Sequence, residues 1–153
     1  MRIGVGGRIA RETPSPLYLA DTSALTHLRF PAVDERLTPL LEAGLVARCG
    51  VIDLEMLFTA RTYDEMVAMR EEHTYAFPLV PMTQDDFERA MDVMSLLAAT
   101  QKHRSAKLPD LLIASTAERA GLTVLHYDGD FDHIAGITGQ PMEWVAPRES
   151  LGR

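Results

Sequence analysis

Three short apolar runs, Leu17–Ala20, Leu45–Cys49 and Leu122–His126, punctuate the chain, and segments with helical spacing lie between them. Runs this short suit buried strands, because helices need about ten residues or more. Strands separated by helices cannot close tight hairpins, so each must return to the sheet by a crossover. The pattern therefore predicts an α/β fold, a three-layer α/β/α domain with a central, mainly parallel sheet.

The helical segments carry their own punctuation. Thr22 or Ser23 can cap a helix reaching about Arg29, and Pro31 breaks it. Val33–Ala43 reads as a helix stopped by Gly44, and Ile52–Ala60 and Thr62–Tyr75 read as two more. Phe77–Val80 reads as a short strand closed by Pro81. Thr83 then caps a long helix with Asp85, Asp86 and Glu88 in its first turn. Pro109 suits the first turn of the next helix, which ends before Gly121. Phe131–Ala135 reads as a brief helix and Met142–Val145 as a last strand. Residues 1–16, with three glycines and two prolines, read as a flexible leader or a mis-assigned start. Residues 17–146 read as one domain and residues 147–153 as a tail.

Acids sit where this architecture brings distant segments together. Asp21 ends the first apolar run, in LADTSAL. Glu55 interrupts VIDLEMLF, Asp110 opens the helix LPDLLIASTA, and Asp128 and Asp130 follow the Leu122–His126 run in LHYDGDFD. In open parallel sheets, ligands bind beyond the carboxyl ends of the strands. Each acid also has a structural explanation as a cap, turn or helix-end charge. Asp53 and Glu55 are two apart, hence roughly 200° apart around a helix, and only one can face a site. Glu55 is preferred because its neighbours are apolar. Asp110, Ala114 and Ala117 make a small-residue helical face that can press close to a sheet. Asp132 reads as a capping acid. Ser23, two residues after Asp21, can hold a ligand carboxylate or a water.

Convergent carboxylates need an opposing charge. Two unit charges about 4 Å apart repel by on the order of 4 kcal/mol at an effective dielectric near 20. Hard divalent cations such as magnesium answer that repulsion with oxygen ligands. The acid set therefore points to a metal-dependent enzyme acting on phosphate.

Composition narrows the function classes. The chain has 153 residues, 46% of them apolar and 24% charged, as in ordinary globular domains. No apolar run approaches the roughly 20 residues that span a bilayer. The N-terminus lacks the apolar stretch of a secretory signal, and the single cysteine, Cys49, reads as a buried inert thiol, so the expected compartment is the cytoplasm. A net charge of −7 argues against nucleic-acid binding by bulk charge but not against a nucleic-acid substrate at a metal-neutralised site. Lys102, His103, Arg104 and Lys107 form a basic cluster just before Asp110.

In order, DTSAL, the Glu55 helix, LPDLLIASTA and LHYDGDFDHIA resemble the motifs of a PIN domain, and within that group the VapC toxins of bacterial toxin–antitoxin pairs. The resemblance covers about residues 17–146. It implies a Mg²⁺- or Mn²⁺-dependent endoribonuclease on a flanked parallel sheet. It implies Asp21, Glu55, Asp110 and Asp128 as the acidic cluster, with Asp130 as a further ligand or a water-positioning residue. It places Ser23 at a small-hydroxyl position and Arg104 at a basic position before the third acid, where it contacts RNA. It further implies a homodimer, a VapB-like antitoxin in the active-site groove, and transfer RNA as a candidate substrate.

Two other classes compete. A non-catalytic metal-binding or regulatory domain keeps the same scaffold; a receiver-like version needs a lysine after a late strand, and the sequence offers no convincing one. An aspartyl phosphatase needs a second acid two residues after Asp21, where Ser23 stands.

Overall fold

A computed structural model describes residues 15–152. Most of the expected leader, residues 1–14, lies outside the described residues. The elements run β1 (Tyr18–Ala20), α1 (Thr22–Leu25), α2 (Pro31–Glu42), β2 (Val46–Ala47), α3 (Gly50–Phe58), α4 (Tyr63–Ala76), α5 (Gln84–Ala98), α6 (Leu108–Ala120), β3 (Thr123–His126), α7 (Asp130–Thr138) and β4 (Met142–Trp144).

The four strands pair in the order β2-β1-β3-β4, and every pairing is parallel. Leu19 pairs with Val124 and Ala20 with Leu125 at the centre. From β1 the chain moves outward to β2 through α1 and α2. It then returns across β1 to β3 through α3–α6, and continues in that direction to β4 through α7. Crossovers between parallel strands are right-handed, so the reversal of direction puts α2 on one face and α6 and α7 on the other. The expected three-layer α/β/α domain follows from this topology.

Leu19, Ala20, Val124 and Leu125 are buried, as strands covered on both faces should be. Val33 and Leu37 of α2, Ile113, Ala114 and Ala117 of α6, and Phe131 and Ile134 of α7 complete the core. Each fully buried large side chain of this kind contributes roughly 1.5–3 kcal/mol relative to exposure. Cys49 is buried as expected, and burial pushes its thiol up to about 11. Among the described residues no helix is long and apolar enough to cross a membrane.

Three local expectations change. The helix after β1 stops at Leu25, well short of Arg29, and its N-cap is Asp21 rather than Thr22 or Ser23. Phe77–Val80 forms a single bridge, Arg48 with Leu79, in place of a strand. Pro78 and Pro81 lack the N–H groups a longer ladder requires. The helix expected from Val33 begins two residues earlier, because Pro31 starts α2 as well as ending the preceding turn.

Candidate metal centre

The reversal of chain direction falls between β1 and β3, and such a switch point leaves a crevice beyond the carboxyl ends of the two strands. Asp21 follows β1 directly. Its N–H donates to the Leu125 carbonyl at 2.8 Å, which continues the sheet by one bond. Its Oδ2 accepts the Ser23 N–H at 2.9 Å and so caps α1. The Ser23 hydroxyl accepts the Tyr127 N–H at 2.9 Å and ties the ends of β1 and β3 together. Asp128 comes immediately after, and its Oδ1 accepts the Asp130 N–H at 3.0 Å.

The third contribution comes from the start of α6. Pro109 sits in the first turn and Asp110 next to it. Ala114 and Ala117 are buried below, so their small side chains let the helix approach the sheet and hold Asp110 at its rim. One carboxylate oxygen from each of Asp110, Asp128 and Asp130 lies within 4.8 Å of the others. The positive end of α6 points at this group and favours its negative charge.

Electrostatics link Asp21 to the same cluster. Asp21 and Asp110 are 3% and 4% exposed. Asp21 Oδ1 and Asp110 Oδ2 are buried and have no hydrogen-bond partner among the described residues. Burial, with repulsion from Asp21 and then Asp128, pushes the Asp110 carboxyl up to about 8. Burial also raises the Asp21 carboxyl, with a contribution from Asp128. Asp128 is the exception. Burial raises it, but the Asp130 N–H and the Lys107 ammonium outweigh burial and hold it below the usual carboxylate range. Two buried carboxylate oxygens lacking a donor, beside two further acids, form the hard-oxygen set that suits a divalent cation.

Glu55 adjoins Asp21. Its Oε1 accepts the Thr22 hydroxyl at 3.2 Å, and burial and then Asp21 raise its carboxyl. Asp53 faces away. It bonds Arg48 at 2.6 Å and lies 2.9 Å from His73, so its charge is consumed in a packing contact. The α3 geometry thus sets Glu55, and not Asp53, beside the acids.

Four neighbouring side chains stand apart from the cluster. Asp132 lies in the first turn of α7, but its carboxylate accepts the Trp144 indole N–H at 3.1 Å instead of capping the helix, whose N-cap is Gly129. His126 is buried against the rings of Phe131 and Trp144, and His133 is exposed on α7. Arg104 is exposed in the loop before α6, and among the described residues it makes no ion pair with the acids.

Among the described residues, the cation that reaches the acids is Lys107. Its Nζ donates to Asp128 Oδ2 at 3.0 Å and lies 3.3 Å from Asp130 Oδ2. Lys107 stood in the basic cluster noted in the sequence, but only its position at the start of α6, three residues before Asp110, distinguishes it from its neighbours. Thr22 is the second residue that the sequence did not single out for this role. Its adjacency to Asp21 was the available signal.

Residues 18–137 match the model of the PIN domain family. The Mycobacterium tuberculosis protein named ribonuclease VapC51 is 47% identical over 138 residues, 88% of this chain and 96% of that protein. Ribonuclease VapC21 of the same species is 44% identical over 128 residues, 84% of this chain and 93% of its own length. Among solved structures, the DNA-bound VapBC of Salmonella typhimurium superposes with a TM-score of 0.70 at 14% identity, covering 86% of this chain and 99% of that one. VapBC-1 of nontypeable Haemophilus influenzae gives 0.68 at 17% identity, over 84% and 98%. At these identities the structural likeness speaks for the fold.

Proposed function

The chain belongs to the PIN domain family, and on that premise we propose that it is a metal-dependent endoribonuclease, the toxin of a toxin–antitoxin pair. The observation that carries the proposal is the convergence of Asp21, Asp110, Asp128 and Asp130 at the β1/β3 switch point, with two buried carboxylate oxygens left unpartnered. The substrate is single-stranded or looped RNA, with transfer RNA the first class to test.

Asp110, Asp128 and Asp130 would hold the cation, Mg²⁺ or Mn²⁺, with Asp21 on its buried side. Such a cation supplies neutralisation of the carboxylates and Lewis-acid activation of water and phosphate. The chain's own groups do the rest. The sheet and the first turn of α6 fix the carboxylates before substrate arrives, which removes their reorganisation from the barrier. The Thr22 hydroxyl occupies Glu55 Oε1 and orients the carboxyl, leaving Oε2 to accept a proton from the attacking water. Its raised affinity for protons suits that task. Ser23 locks the two strand ends and so keeps Asp21 and Asp128 at a fixed separation.

The proposed partners are a VapB-like antitoxin and a second copy of the chain, acting in the cytoplasm. Support for a protein partner comes from the solved relatives, which are VapBC complexes, and from Leu54 and Phe58, 71% and 89% exposed on α3 beside Glu55. Exposed apolar groups gathered on one face commonly mark an interaction surface.

The test is purified protein with defined RNAs, transfer RNA included, in Mg²⁺ or Mn²⁺ with an EDTA control. Metal-dependent cleavage that Asp21→Ala abolishes is expected. Equal cleavage by Asp21→Ala and the unaltered protein would overturn the assignment.

A further inference from the structure

Lys107 stands in an unfavourable place for a lysine. It is the N-cap residue of α6, where its side chain caps nothing and the positive end of the helix dipole repels a cation. The side chain is 67% exposed and free to extend into solvent. It turns inward instead, with Nζ at 3.0 Å from Asp128 and 3.3 Å from Asp130. Those are two of the three acids whose oxygens lie within 4.8 Å of one another. The ammonium reaches the exposed side of the cluster only. Asp21 Oδ1 and Asp110 Oδ2, on the buried side, keep no partner among the described residues.

From this juxtaposition we infer that Lys107 is an internal cation that competes with the divalent metal for Asp128 and Asp130. The inference rests on the metal-centre reading above and adds to it a positioning residue with two states. Without metal, the ammonium offsets the charge of the two half-buried carboxylates and leaves the buried pair uncompensated. With metal bound, the same two carboxylates turn to the divalent ion, which a nearby ammonium repels. Lys107 then leaves the cluster for solvent, at the mouth of the crevice where an RNA phosphate would lie. One monovalent group thus lowers the affinity of the site for metal and steadies the metal-free fold.

The opposing signs provide the test. Mn²⁺ binding is measured by calorimetry, and thermal unfolding is followed in EDTA and in saturating Mn²⁺. The variants are Lys107→Met, which keeps the length of the stem, and Lys107→Arg, which keeps the charge. Lys107→Met should bind Mn²⁺ about three- to tenfold more tightly, the loss expected for one or two partly exposed ion pairs. It should melt earlier than the unaltered protein in EDTA and no earlier in Mn²⁺. Lys107→Arg should stay within about twofold of the unaltered affinity. A purely structural role would lower the melting temperature in both conditions and leave Mn²⁺ affinity where it was. Unchanged or weaker Mn²⁺ binding by Lys107→Met, beside normal binding by the unaltered protein, would overturn the inference and spare the metal centre. Failure of the unaltered protein to bind Mn²⁺ at all would overturn both.

Discussion

The Ser23 hydroxyl accepts the Tyr127 N–H at 2.9 Å, joining the residue three past β1 to the residue one past β3. This bond crosses the seam where the sheet reverses direction, and the acids on either side depend on it. Ser23→Ala leaves the Tyr127 N–H without its partner. The expected cost is about 1–2 kcal/mol of stability. Cleavage should fall further than the stability loss accounts for. Urea denaturation and cleavage assays on the same preparation check both.

Glu55 and the aspartates should separate in their dependence on metal. Glu55→Gln removes a proton acceptor and keeps the Thr22 bond, so cleavage should fall about a hundredfold or more. Mn²⁺ affinity should change little, because Asp110, Asp128 and Asp130 remain. A calorimetric titration beside single-turnover kinetics distinguishes this from loss of a ligand.

The Asp110 carboxyl dictates the direction of the pH dependence. Its affinity for protons is raised on folding, from 3.8 to about 8. The folded state therefore binds the proton more tightly than the unfolded chain does. The resulting stabilisation is complete below 3.8 and is lost as pH rises towards 8. In EDTA, this group should make the melting temperature decline across that interval. Asp110→Asn should flatten the decline and raise the melting temperature near pH 8, while abolishing metal-dependent cleavage. Saturating Mn²⁺ should remove the decline in the unaltered protein, because the ligand carboxylate is then ionised throughout.

A buried acid away from the site supplies a contrast. Asp86 accepts the Thr83 N–H at 2.9 Å, Arg119 Nε at 2.6 Å and the Thr116 hydroxyl at 3.3 Å. Asp86→Ala leaves the buried Thr116 hydroxyl unpaired and the Arg119 guanidinium with the Pro81 carbonyl but no counter-charge, at a cost of about 2–3 kcal/mol. Mn²⁺ affinity, measured at a temperature where the variant is folded, should be unchanged.

Phe58 should matter to a partner and not to the fold. Phe58→Asp at an 89% exposed position should alter stability by less than about 0.5 kcal/mol. It should abolish co-purification with a co-expressed antitoxin if α3 is part of that interface. Tandem affinity purification and circular dichroism of the same variant give the two readings.

The central strands and the clustered acids were legible because each depends on short-range pattern. An apolar run that ends at Asp21 or just before Asp128 marks a strand end, and parallel topology gathers strand ends on one edge. Asp110 was legible through Pro109 and the small residues that follow it. The choice of Glu55 over Asp53 rested on apolar neighbours, and the structure supplies the cause: Arg48 and His73 engage Asp53. Lys107 was not separable from Lys102 and Arg104, because only the path of the loop into α6 decides which cation meets the acids. The bridge at Leu79 reads as a strand because a short apolar stretch closed by Pro81 fits a strand and an isolated bridge alike.

The pairing of Ala20 with Leu125 also gives the molecule a chronology. Local helices can form early, since their contacts are close in sequence, whereas β1 must wait for a partner about a hundred residues downstream. Asp21 leaves the ribosome long before Asp128 exists. A nascent or truncated chain ending before β3 therefore carries scattered acids and no cluster. The acid cluster can assemble only once β3 has been made, so the proposed site and any surface built on it belong to the finished domain.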